Sequence, residues 1–134
     1  MIHEEICTYE VAKLAKEQGF PQCPNENNHC DMYCWDGLRN IHPINNWVVW
    51  CMEKYNLENL YAAPTQNLLH WWLRKEKGIH IAVFPNMSNS FEFDYIVYIK
   101  GDKFWNPMYT AHSDFATYEL ALEDALKYAL ENLV

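Results

Sequence analysis

Thiols and imidazoles crowd one stretch of this chain: Cys23, His29, Cys30 and Cys34, with His42 and Cys51 further along. Thiolate sulfur and imidazole nitrogen are the ligands that hold zinc tetrahedrally, so a metal centre is the first chemistry these residues suggest. The spacing fits poorly. Structural zinc sites bring two close pairs of ligands, whereas the intervals here run Cys-x6-Cys-x3-Cys, with His29 adjacent to Cys30 where neighbouring side chains seldom converge on one ion. The plainer reading packs Cys34 and Cys51 as small residues in a hydrophobic face and leaves Cys23 and Cys30 in a loop. Cys30 with His29, or Cys34 with His42, could also be written as a nucleophile and its base, but no third orienting group marks either pair.

Other chemistries leave weaker traces. Glu92 and Asp94 share one face of an expected strand and could flank a substrate, yet an outward acidic pair on a half-buried strand is normally solvated. The glycines Gly19, Gly37, Gly78 and Gly101 stand singly at turns and helix ends, which excludes a phosphate-cradling loop or a dinucleotide fingerprint. No His-Glu-x-x-His, Gly-x-Ser-x-Gly or EF-hand pattern occurs, and nothing calls for a cofactor.

The aromatic residues are the other unusual feature: six Trp, nine Tyr and six Phe make up 16 % of the chain. Trp71 falls beside the apolar stripe of its helix, Tyr98 faces away from the apolar side of its strand, and Trp35, Trp47, Trp50 and Trp105 are spread over both faces of their segments. Rings on both faces of a sheet require a second covering layer or a partner, and Tyr and Trp are enriched where proteins meet. A ring-rich core is the competing explanation. Arg74, Lys75 and Lys77, with Glu76 between them, complement the end of a helix rather than form a nucleic-acid site.

The elements that must position these residues follow from periodicity and punctuation. Thr8 caps a first helix ending at Gly19. Its Val-Ala-Lys-Leu-Ala phrase also opens many helix-turn-helix units, but no second basic helix follows. Residues 21–28 read as loop, Met32 to Trp35 as a short strand, and Trp47 to Met52 as a strand or a buried helical turn. Thr65 is placed to cap a helix from Gln66 to Gly78, with Leu68, Leu69, Trp72, Leu73 and the stem of Glu76 on one side and His70 and Arg74 pointing away. Strands are expected over residues 79–84 and 91–99, the second with Phe91, Phe93, Tyr95, Val97 and Ile99 on one face, and Gly101-Asp102 turns the chain into Phe104-Trp105. Thr117 caps a last helix whose stripe is Tyr118, Leu122, Ala125, Leu126, Ala129 and Leu133. The order α-β-β-α-β-β(β)-α predicts an α+β two-layer sandwich: an antiparallel sheet of about four to five strands with three helices, in a single domain over residues 1–134.

Composition bounds the setting. The net charge is −8, with four basic against nine acidic residues in 1–65 and six against nine in 66–134. Nonspecific binding to nucleic acid or to an anionic membrane therefore works against electrostatic repulsion, and the even spread argues against a concentrated acidic face that mimics DNA. Five Cys, an odd number, behind an acidic Met-Ile-His-Glu-Glu start predict reduced thiols in a cytoplasm. No apolar stretch approaches the roughly 18 residues a membrane span needs.

Tyr61-Ala62-Ala63-Pro64-Thr65-Gln66-Asn67-Leu68-Leu69, then Trp72-Leu73-Arg74 and Gly78-Ile79-His80-Ile81, resembles a group of short proteins of bacteriophages, prophages and mobile elements of anaerobic gut bacteria. The closing Tyr118-Glu119-Leu120-Ala121-Leu122-Glu123-Asp124-Ala125-Leu126 and the opening Val11-Ala12-Lys13-Leu14 to Gly19-Phe20 resemble the same group, in the same order; Cys23 to Tyr55 does not. The resemblance implies a cytoplasmic accessory protein and carries no activity, cofactor or site residue. The expectation is a non-enzymatic protein that binds a protein partner or itself through aromatic residues. Its alternatives are a small zinc protein or enzyme using Cys23, His29, Cys30 and Cys34, and, third, an acidic DNA mimic.

Overall fold

The computed structural model describes residues 5–22, 33–43, 60–86 and 91–134, the side chains of 112–114 excepted. Trp47, Trp50, Cys51, Cys23, His29 and Cys30 lie outside the described residues, as does the strand or helical turn expected over Trp47 to Met52. The architecture is α+β: the described residues form three helices and six strands in antiparallel sheets, in the expected order. The strands form two sheets of three rather than one of four to five. They belong to two compact units, Ile6–Thr65 and Met1–Glu5 with Gln66–Val134.

In the first unit, helix α1 (Tyr9–Glu17) starts where Thr8 is expected to cap it, with the Thr8 hydroxyl accepting from Val11 N at 3.4 Å. Gly19 takes φ +95, and Phe20 N reaches back to the Ala15 carbonyl at 2.9 Å. This left-handed ending is the one glycine permits without a Cβ penalty. Strands β1 (Tyr33–Trp35), β2 (Ile41–Pro43) and β3 (Tyr61–Ala63) pair in the order β2-β1-β3. With three residues each they are too short to show an alternating pattern, which is why β2 and β3 left no trace in the periodicity. Among the described residues, Cys7, Val11, Ala12, Ala15, Phe20, Cys34, Ala62, Ala63 and Pro64 are buried.

In the second unit, helix α2 (Gln66–Glu76) precedes the meander β4 (Ile79–Pro85), β5 (Phe93–Lys100) and β6 (Trp105–Phe115), and helix α3 (Tyr118–Asn132) closes the chain. Cross-strand partners share a face, so Ile79, Ile81 and Val83 line up with Ile99, Val97 and Tyr95. That face carries fully buried Ile79, Tyr95 and Val97 and packs against α3, whose own buried residues are Ala121, Leu122, Ala125, Leu126, Ala129 and Leu130. The stripe differs from the expected one at its ends: Ala121 and Leu130 are buried, while Tyr118 is exposed and packs its ring edge-on against Phe93. Phe91, expected in the strand, precedes it at φ +69 and is 91 % exposed. Thr117 caps α3 as expected, its hydroxyl accepting from Leu120 N at 3.1 Å.

Candidate functional site

The second face of the β4-β5-β6 sheet carries His80, Ala82 and Phe84 from β4 and Ile96 and Tyr98 from β5, all half-buried. Trp105, paired with Lys100 at the start of β6, joins them. The His80 ring lies 5.6 Å from Trp105, 6.2 Å from Tyr98 and 5.2 Å from His70 of α2, so four rings form one row across the strands. Tyr98 and Trp105 are thereby brought together, and Tyr98 faces away from the apolar side as its alternation predicts. Trp71 is exposed on α2, with the Lys75 ammonium 4.8 Å from its ring centre. Trp35 belongs to the other unit, where it is half-buried and its indole N–H donates to the Cys7 carbonyl at 3.0 Å.

Beyond Trp105 the strand stays open to solvent. Every side chain from Asp102 to Thr110 is exposed, among them Phe104 (77 %), Met108 (51 %) and Tyr109 (39 %), and no charged residue occurs from Phe104 to Ala111. Tyr109 lies flat on Tyr128 of α3, with ring centres 4.0 Å apart.

The sheet's two borders are not equivalent. Lys100 N bonds to Gly78 O at 2.8 Å and Gly101 N to Phe104 O at 2.9 Å. These two bonds fix the phase of both ladders, because hydrogen-bonded and non-bonded pairs alternate along an antiparallel pair. On β4 the backbone groups of Ile79, Ile81 and Val83 consequently turn outward. The Ile81 N–H is taken up by His70 Nε2 at 3.1 Å. His70 is therefore neutral with its proton on Nδ1, and burial first, then the His80 and Arg74 charges, lower its pKa to about 4. The wheel places His70 outward; the structure turns it to the strand border, because an unpaired N–H there needs an acceptor. His80 is lowered too, by burial and then Arg74. Its Nδ1 is buried and makes no hydrogen bond among the described residues. On β6 the outward positions include Trp105, Pro107 and, past a register shift at Met108, Thr110. A proline without an N–H and a bulge are two devices by which sheets resist added strands.

Comparison with protein-family models, curated proteins and solved structures finds no match. The chain's own geometry must carry the functional reading.

Of Cys23, His29, Cys30 and Cys34, only Cys34 lies among the described residues. Cys34 is fully buried, and burial, then the Asp36 charge, push its thiol pKa up, away from the thiolate a metal ligand or nucleophile requires. Among the described residues no three His, Cys, Asp or Glu side chains converge as a metal site. Asp94 is buried and accepts from the Asn86 amide at 3.3 Å, in contrast to its expected solvation.

A feature that periodicity missed lies in the first unit. Asp36 to Asn40 connect β1 and β2 as a tight hairpin, with Arg39 N bonding to Asp36 O and Asp36 N to Asn40 O. The Asp36 carboxylate accepts from Leu38 N at 2.8 Å and Asn40 N at 3.0 Å and meets His42 Nε2 at 2.7 Å. The Asn40 bond first, then His42, lower its pKa to about 2. Arg39 sits at φ 62, where glycine or asparagine is usual, and reaches Glu10 at 3.2 Å and the Tyr9 ring at 5.3 Å. The Asp-Gly pair ahead of a short β run was the available signal. No described helix is long and apolar enough to cross a membrane.

Proposed function

We propose that this chain is a non-enzymatic protein-interaction module, a cytoplasmic accessory protein of a phage or mobile element that binds a protein partner or a second copy through the β6 side of its second sheet. The observation that supports this reading is the exposed, uncharged run Phe104 to Thr110, continuous at Trp105 with the ring row of His80 and Tyr98. Trp, Tyr and Met without charges are the composition of interface centres, and monomers seldom leave such a patch uncovered. Binding uses side chains rather than strand addition, since Pro107 and the bulge interrupt the outer border. The assignment to phage or mobile-element proteins rests on the phrase resemblance.

The test is size-exclusion chromatography with light scattering over a wide concentration range, combined with affinity capture from the producing cells. Loss of self-association or of a captured partner in a Trp105→Ser, Met108→Ser double variant, with both retained in Phe91→Ser, is the expected result. A strict monomer whose captured proteins are unchanged by the double variant would overturn it.

A further inference from the structure

The geometry points to a second binding site, in the first unit: a pocket for a carboxylate-bearing, partly apolar peptide segment. It is an open cavity of about 410 Å³ lined by Tyr9, Lys13, Asp36, Gly37, Leu38 and Tyr61. That volume lies in the range of small-ligand sites and accommodates one or two side chains rather than a folded surface. The proposal does not depend on the β6 reading.

The walls are built by two elements. Tyr9, Lys13 and Lys16 stand four and three residues apart on α1 and so share one side of the helix. The hairpin supplies Gly37 and Leu38, and Leu38 at its tip is 84 % exposed although apolar. Tyr9 meets Tyr61 edge-on at 5.5 Å, which gives the pocket a rigid aromatic back.

Charge selects the ligand. Three cations surround the two tyrosines, and two are already engaged: Lys16 donates to the Leu60 carbonyl at 3.1 Å and lies 5.0 Å from the Tyr61 ring, while Arg39 holds Glu10 and covers Tyr9. Lys13 is exposed and has no ion pair or hydrogen bond among the described residues. Asp36 is the acid in the wall, but its oxygens are committed to two backbone N–H groups and His42, so it does not neutralise Lys13. A lone ammonium beside tyrosine rings and an exposed leucine suits an aspartate or glutamate flanked by an apolar residue that covers Leu38. Polyanionic nucleic acid is disfavoured by the net charge of −8. Arg39, next to Leu38 in the hairpin, has the left-handed φ of 62, and such strain is concentrated at binding loops.

The experiment is a nitrogen-15 NMR titration of the full chain with an acetylated peptide of alternating Leu and Glu, alongside the same peptide with Gln or Lys in place of Glu. Saturable shifts at Lys13, Gly37 and Leu38 with the Glu peptide are expected, weakened at least about threefold by Lys13→Gln, by Leu38→Ser and by raised salt, the size of one partly exposed charge contact. Equal binding of the Gln peptide, shifts located elsewhere, or a Lys13→Gln variant that binds as the parent does would overturn the proposal. A short oligothymidine that binds more tightly than the peptide at the same residues would also overturn it, assigning the pocket to nucleic acid.

Discussion

His70 accepts the Ile81 N–H at the β4 border only while its ring is neutral, and this makes stability depend on pH in a calculable way. In the unfolded chain the ring titrates near 6.5, and in the folded protein near 4. Between those values the unfolded state holds a proton that the folded state does not, so stability is full above about pH 6.5, falls as the pH drops towards 4, and levels off below that. The gap converts to about 3 kcal/mol, and solvent screening at a half-buried ring reduces this to about 2 kcal/mol. His80 is lowered in the same direction, by burial and then the Arg74 charge, and adds to the loss as the pH falls. Asp36 titrates lower, near 2, and its contribution is lost only below this range. Urea unfolding followed by tryptophan fluorescence between about pH 7.5 and pH 4.5 measures the slope. His70→Gln is the decisive variant, because its amide oxygen can accept the Ile81 N–H without titrating. It is expected to retain stability at low pH and to lose about half of the slope or more. A flat wild-type profile, or an unchanged slope in His70→Gln, would refute the reasoning.

Two further substitutions probe the packing. Tyr95 is fully buried and donates its hydroxyl to Asp124 at 2.7 Å; Tyr95→Phe is expected to cost about 1 kcal/mol in chemical denaturation, because the exposed Asp124 regains water, and no loss would show that the bond contributes nothing. Arg39→Gly relieves a left-handed backbone worth about 1 kcal/mol while removing the Glu10 and Tyr9 contacts of similar size, so its midpoint should barely move. Arg39→Val loses the contacts and worsens the strain, and its midpoint should fall clearly; equal midpoints for the two variants would show that the backbone conformation is not the controlling factor.

The long elements were legible because their signals repeat. Thr8 and Thr117 mark helix starts, and the β4 and β5 register follows from alternation. The three-residue strands had no period to read, so residues expected in one sheet belong to two. The α3 stripe keeps Leu122, Ala125, Leu126 and Ala129 as expected and differs at its ends, where Tyr118 lies in the exposed first turn against Phe93 and Leu133 is the C-cap, so that Ala121 and Leu130 are buried instead. At the candidate sites, Tyr98 and Trp105 could be named from facing and residue type. His70 could not, since its orientation is set by an unpaired N–H on a strand that follows it, a tertiary demand with no local signature. Trp35 looked like a binding residue for the opposite reason: its type suggested an interface, while its indole N–H is already used to hold Cys7.

The capping of the Ile81 N–H by His70 also bears on how the protein reaches its fold. A β4-β5-β6 meander is built from neighbouring segments and can form early, but its first strand stays a template for intermolecular pairing until α2 docks and His70 takes the Ile81 N–H. In acid, where the imidazole is protonated, that acceptor is missing throughout assembly. Refolding yield should therefore depend on the pH at which denaturant is diluted, with aggregation competing most strongly during the interval when the sheet exists and the helix has not yet arrived.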